Sequence, residues 1–134
     1  MIQVETRDGV RTIAMDDPER RNALSNEMVN ALLSGLNDAR EDPHTRCVVL
    51  GSTHAKVWSA GGNLAGMSAD TPTVEKYHAN AAFPRLFNTM AELGKPVICA
   101  ANGHVLAGAL GIALGCDLIV AKDTATFGAP EINV

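Results

Sequence analysis

Two stretches of the chain have the residue types to bring bare backbone up to a reacting ligand. Val48-Val49-Leu50 leads to Ser59-Ala60-Gly61-Gly62, and Val97-Ile98-Cys99-Ala100-Ala101 leads to Leu106-Ala107-Gly108-Ala109. In each, an apolar strand-like run precedes a loop of small residues that carries glycine. Such loops let a ligand approach main-chain N–H groups, and two donors converging on one point make a site for a developing oxyanion. The chemistry suggested is polarisation of a carbonyl. Glu131, within Phe127-Gly128-Ala129-Pro130-Glu131, is a carboxylate that can move a proton beside that carbonyl.

Taken singly, each of these features has a plainer reading. The small residues at 60–62 and 107–109 also suit tight packing, and an isolated Glu131 reads as a solvated loop carboxylate. Arg20-Arg21 reads as a solvated turn as readily as a phosphate contact. His104 reads as a packed or partly exposed histidine rather than a base. His44, His54 and His78 show no metal-ligand spacing, so no metal site is expected. Ser59 lacks a G-x-S-x-G elbow, and Gly108, Gly111 and Gly115 do not form a dinucleotide fingerprint.

The elements that position these residues follow from periodicity. Ile2, Val4 and Thr6, then Val10, Thr12 and Ala14, alternate with polar neighbours around Asp8-Gly9, which predicts a β-hairpin. A polar loop, Asp16 to Asn22, precedes a helix capped by Ser25 or Asn26, with Met28, Leu32, Leu33, Leu36 and Ala39 on one side, ended by Asp42-Pro43. Arg46 to Gly51 reads as a short buried strand, followed by the first glycine loop and a short helix near Leu64-Ala65-Gly66-Met67. A longer helix is expected from Thr73 to Leu93, divided or kinked at Pro84, with Gly94-Lys95-Pro96 as its stop. A strand from Val97, a buried helix from Ala109 to Cys116 and a strand from Asp117 to Ala121 complete an α/β layer pattern with a mostly parallel sheet. Beyond the paired loops no internal repeat is evident.

Composition narrows the classes of function. The 134 residues are 46% hydrophobic and 19% charged, with a formal net charge of -4, enough for one core. The only basic cluster is Arg20-Arg21, which argues against nucleic acid as a partner. Cys47, Cys99 and Cys116 are widely spaced and read as buried free thiols of a reducing compartment. The N-terminus has the pattern of neither a secretory signal nor a transit peptide, so a cytoplasmic location is expected. Asn102, Gly103, His104 and Asp117 interrupt the apolar stretch from Pro96 to Ala121, which leaves no membrane span.

Four segments together resemble the crotonase superfamily, the enoyl-CoA hydratase and isomerase family. They are Arg21-Asn22-Ala23-Leu24-Ser25, Trp58-Ser59-Ala60-Gly61-Gly62-Asn63-Leu64, the run from Lys95 to Ala109, and Cys116-Asp117-Leu118-Ile119 continuing to Phe127-Gly128-Ala129-Pro130-Glu131. They occur in the family's order across nearly the whole chain. The resemblance implies a crotonase-like fold of the ClpP/crotonase type, a spiral of ββα repeats, with residues 1–134 as the N-terminal part of a single domain. It also implies an acyl-CoA thioester substrate from fatty acid metabolism, isomerase or lyase chemistry, no cofactor apart from the CoA of the substrate, and assembly into homotrimers or dimers of trimers.

Residue by residue, the resemblance implies that Ala60 and Gly108 supply the two N–H donors to the thioester oxygen and that Glu131 is one of two catalytic carboxylates. Arg21, Ala23 and Leu24 lie along the CoA moiety, with Arg20 or Arg21 facing phosphate. Gly61, Gly62, Asn63, Leu64, Ala107 and Gly111 complete the substrate contacts. Donors that bind an enolate more tightly than a carbonyl lower the barrier to an α-carbanion. The chain departs from the hydratase pattern at Gly111, where that pattern has Glu, and at Asn63, where an acidic residue is usual. A single carboxylate favours moving a proton between two carbons, as in the Δ3,Δ2-enoyl-CoA isomerases, over water addition. The missing side chain at Gly111 equally leaves room for a differently shaped acyl chain.

Family members continue past the Pro-Glu segment, so this chain is expected to be truncated before the C-terminal helices and to expose apolar surface and open sheet edges. A non-catalytic acyl-CoA-binding module or silent fragment is the alternative to an enzyme.

Overall fold

The structure, a computed structural model, describes residues 1–62 and 81–133. At the N-terminus, β1 (Ile2–Arg7) and β2 (Val10–Met15) pair antiparallel. Asp8 (φ 52°) and Gly9 (φ 82°) turn the chain between them, the two left-handed residues that a two-residue hairpin requires. Helix α1 (Asn26–Glu41) starts where the Ser25 hydroxyl accepts a hydrogen bond from the Met28 N–H, satisfying one of the first-turn donors. It buries Met28, Val29, Leu32, Leu36 and Ala39. At its far end the Lys95 ammonium donates to the Ala39, Arg40 and Asp42 carbonyls, which have no acceptor role left within the helix.

Three strand pairs follow. The first is β3 (Cys47–Ser52) and β4 (Val57–Ser59), the second β5 (Val97–Ala101) and β6 (His104–Leu106), and the third β7 (Leu118–Ala121) and β8 (Phe127–Gly128). The first strand of each pair joins a five-stranded sheet in the order β1-β2-β3-β5-β7, parallel except for the hairpin. The second strand joins a three-stranded parallel sheet in the order β4-β6-β8. A repeat of two strands, one per sheet, therefore organises the chain from Cys47 onward. It is the ββα repeat that the family resemblance implied; periodicity alone did not show it, because β4, β6 and β8 are only 3, 3 and 2 residues long.

Between the repeats lie α2 (Ala82–Ala91) and α3 (Gly108–Leu114). Pro84 sits in the first turn of α2 rather than at a kink within the described helix, a position where its missing N–H costs no intrahelical bond. Whether the expected helix begins at Thr73, and the expected short helix near Leu64–Met67, lie outside the described residues. α1 packs on α2 and on β2, and the core joins Ile13, Met28, Leu36, Leu50, Trp58, Leu86, Val97, Cys99 and Ile112. The edge strand β7 is exposed along its whole length, including Leu118, Ile119 and Val120. Among the described residues no helix is long and apolar enough to cross a membrane.

Candidate functional site

The three strands of the small sheet run parallel, so their carboxyl ends share one edge, and each ends on a segment singled out by its sequence. β4 runs into Ala60-Gly61-Gly62, β6 into Ala107-Gly108, and β8 into Ala129-Pro130-Glu131. The central strand β6 ties the three together, with Ser59 in register with Val105 and Leu106 with Gly128. The Ala107 N–H then donates to the Gly128 carbonyl at 2.9 Å.

The two glycine loops are in direct contact. Gly61 has φ +88°, and a Cβ there would stand 2.5 Å from Ala107 Cβ and 2.6 Å from the Leu106 carbonyl oxygen. Only glycine fits that backbone and that separation. Ala107 is itself at φ 56°, ψ -132°, a conformation that costs an alanine on the order of 1–3 kcal/mol and persists only where its surroundings hold it. It turns the chain from β6 into α3 and presents Gly108 as the first helical residue.

Backbone donors divide clearly at these loops. The Ala60 N–H donates to the Arg21 carbonyl at 3.0 Å, and the Gly61 N–H to Ser59 Oγ at 3.2 Å. Neither N–H is free to meet a ligand. This corrects the expectation for Ala60, whose small side chain suggested a donor but whose amide fastens the loop to the Arg21–Leu24 segment. Among the described residues the Gly62 N–H has no hydrogen-bond partner, and none of them lies within 4 Å of where its Cβ would stand. The Gly108 N–H likewise has no partner among the described residues; at the first helical position no intrahelical acceptor is available to it. Leu24 lies between these glycines. Its N–H donates to the Gly61 carbonyl at 2.7 Å, it bridges to Gly62, and its Cδ1 is 3.8 Å from the Cβ position of Gly108.

One residue that holds this arrangement was quoted in the sequence but given no role. Asn22 is fully buried at φ 51°. Its side chain donates to Ser52 Oγ at 2.8 Å and the Trp58 carbonyl at 3.0 Å, and accepts from the Asp17 N–H at 2.8 Å. Ser59 Oγ donates to the Asn22 carbonyl at 2.7 Å. The Arg21–Leu24 loop is thereby fastened to β3, β4 and the first glycine loop. A left-handed Asn is the signal available in sequence, but burial is not readable there.

The other expected site residues are placed as follows. Arg21 is exposed and without an ion-pair partner among the described residues, while Arg20 faces Asp17 at 3.8 Å. Ala23 is half-buried beside Leu24. Asn63 and Leu64 lie outside the described residues, as does His78. Glu131 is exposed on the 3-10 turn Pro130–Asn133 with no hydrogen-bond or ion-pair partner among the described residues, and Ile132 beside it is 89% exposed. A Cβ at Gly111 would stand at ordinary contact distance, 3.4 Å from Phe87 Cζ, where the α2 aromatics lie across α3. His104 is exposed and meets Thr126 Oγ1 at 2.7 Å. Cys99 and Cys116 are free thiols in contact, and that contact, with burial, pushes the Cys116 thiol above its ordinary range. Among the described residues no three His, Cys, Asp or Glu side chains are grouped to hold a metal. An open groove of about 580 Å³, lined by Met90, Lys95, Gly115 and Leu118, lies at the opposite, amino ends of β5 and β7 and does not include the glycine loops.

Comparison with known proteins agrees with this architecture. The enoyl-CoA hydratase/isomerase family model matches residues 5–134. A Thermus thermophilus protein that carries the enoyl-CoA hydratase name provisionally is 40% identical over 136 residues, covering 100% of this chain and 53% of that protein. The crystal structure of an enoyl-CoA hydratase from Bacillus anthracis superposes with a TM-score of 0.90 at 28% identity, over 98% of this chain and 51% of that one. Human enoyl-CoA hydratase domain-containing protein 3 gives a TM-score of 0.93 at 23% identity over 98% of this chain and 52% of that one, a likeness of fold alone. The chain spans about half the length of the relatives it matches.

Proposed function

The chain belongs to the enoyl-CoA hydratase/isomerase family, and from that premise we propose that it carries the thioester-polarising half of an acyl-CoA site. The contact of Gly61 with Leu106 and Ala107 carries this reading, since it fixes the two glycine loops side by side at one sheet edge. In the proposal, the Gly62 and Gly108 N–H groups hold the thioester oxygen. As an α-carbanion forms, charge grows on that oxygen and both hydrogen bonds strengthen; losing one such donor typically costs about 3–4 kcal/mol of transition-state stabilisation. Arg21, Ala23 and Leu24 lie along the CoA, and Glu131, at the end of the third strand, takes a proton from one carbon and returns it to another.

Isomerisation of an enoyl-CoA is the reaction this favours. Among the described residues, the side chains nearest the Cβ positions of Gly108 and Gly111 are Leu24, Phe83 and Phe87, and none of these three can activate a water. Hydration is the second reading, supported by the enoyl-CoA hydratase names of the relatives. A two-substrate assay separates them: the chain is expected to convert a 3-enoyl-CoA to its 2-enoyl isomer and to lose this on Glu131→Gln. Hydration of crotonyl-CoA at a comparable rate would replace isomerisation with water addition. Saturable thioester binding with no turnover would reduce the function to a binding module.

A further inference from the structure

Ser59 is fully buried, and its hydroxyl is committed on both sides. It donates to the Asn22 carbonyl at 2.7 Å and accepts the Gly61 N–H at 3.2 Å. A hydroxyl buried and bonded in this way has no open face for nucleophilic attack. It belongs instead to a run of anchored peptide groups. The Ala60 N–H is held by the Arg21 carbonyl at 3.0 Å, the Gly61 N–H by Ser59 Oγ, and the Gly61 carbonyl accepts the Leu24 N–H at 2.7 Å. Each of the three peptide units from Ser59 to Gly62 is thereby fixed, two by main chain and one by the serine side chain. A trans peptide is planar, with its N–H opposed to its C=O, and no described peptide is cis. Since the Gly61 carbonyl faces Leu24, the Gly62 N–H points away from the Arg21–Leu24 segment.

We propose that Ser59 is a positioning residue that aims the Gly62 N–H at the thioester oxygen. This rests on the reading of Gly62 and Gly108 as the two donors. Gly61, at φ +88°, is the joint between the peptide plane that Ser59 holds and the plane that carries the Gly62 N–H, and a glycine restrains its own dihedrals least of all residues. Without the hydroxyl, the buried Gly61 N–H is left to find another acceptor, and rotation about Gly61 turns the Gly62 N–H off its line. A hydrogen bond weakens steeply as its angle closes. The Gly108 donor has no such dependence. Ala107, the residue before it, is held by main chain at both ends, its N–H on the Gly128 carbonyl and its carbonyl under the Leu110 N–H, each at 2.9 Å. Loss of the Ser59 hydroxyl therefore disturbs one donor and spares the other.

The test is proton–nitrogen correlation NMR of the full chain titrated with butyryl-CoA and with CoA, following the Gly62 and Gly108 amide protons. In the parent both are expected to move downfield with butyryl-CoA and not with CoA. In Ser59→Ala the Gly62 displacement should fall at least about twofold while that of Gly108 is kept, with the affinity for CoA unchanged. Ser59→Cys, close in size and a weaker donor and acceptor, should show the same asymmetry to a smaller degree, and it decides the matter if Ser59→Ala does not fold. Equal loss at both amides, or loss of CoA affinity with it, would show a merely structural role and overturn the assignment. Both amides moving as in the parent would overturn it too and leave the proposed function standing. If butyryl-CoA moves neither amide of the parent, the proposed function and the role of Ser59 fall together.

Discussion

Gly61→Ala isolates the contact on which the site depends. The residue's φ of +88° is unfavourable for alanine, a cost of about 1–2 kcal/mol. The added Cβ would lie 2.5 Å from Ala107 Cβ and 2.6 Å from the Leu106 oxygen, so the two loops must separate by about an ångström to reach ordinary contact. Overpacking of that kind costs about 1–3 kcal/mol. The sum, about 2–5 kcal/mol, is a large part of a typical domain's stability and corresponds to a fall in melting temperature of about 8–20 °C for a chain of this size. Gly62→Ala is the control, since no described residue stands within 4 Å of its Cβ position, and its melting temperature is expected within about 2 °C of the parent. Thermal unfolding followed by circular dichroism measures both. A Gly61→Ala protein that melts with the parent, or a Gly62→Ala protein that falls as far, would refute the convergence of the loops.

Three further outcomes are expected. Asn22→Ala takes the Asn22 partner from the Asp17 N–H and the Trp58 carbonyl, while Ser52 Oγ keeps the Val57 carbonyl and the His54 N–H; it should lower stability by about 2–4 kcal/mol in urea titration and weaken thioester binding with it. The Asp42 carboxyl is held below its ordinary value of 3.8 by hydrogen bonds from the Thr45 hydroxyl and the His44 N–H, with His44 and Arg11 charges adding to this. A group depressed in the folded state stabilises above its unfolded pKa and loses this as pH falls through the folded one. The urea midpoint should therefore drop below about pH 4 more steeply in the parent than in Asp42→Asn. Trp58→Ala empties a fully buried site in the core and should cost about 3–5 kcal/mol, read by the same titration.

Helix α1 was legible because its 16 residues carry a clean apolar stripe and a serine cap. The hairpin was legible because Asp8-Gly9 demands its turn. The parallel sheet followed from apolar runs at Cys47–Ser52, Val97–Ala101 and Leu118–Ala121. The small sheet was not, since three strands of this brevity owe their existence to their neighbours rather than to local preference. The same limit applies to the donors. Residue type identified the glycine loops, but which amide is free depends on the bond between Ala60 and Arg21, a contact across the chain. The side chain nearest Gly111, Phe87, likewise belongs to another helix, which spacing along the chain does not show.

In the proposed function, the chain polarises a thioester carbonyl between its glycine loops. The most direct measurement is the C=O stretch of a 13C-labelled butyryl-CoA thioester, by infrared difference spectroscopy, free and bound to the full chain. Two converging N–H donors withdraw electron density from that bond, so the band should move to lower frequency on binding, and less far for Gly61→Ala. A thioester that binds saturably with its carbonyl band unmoved would contradict the account.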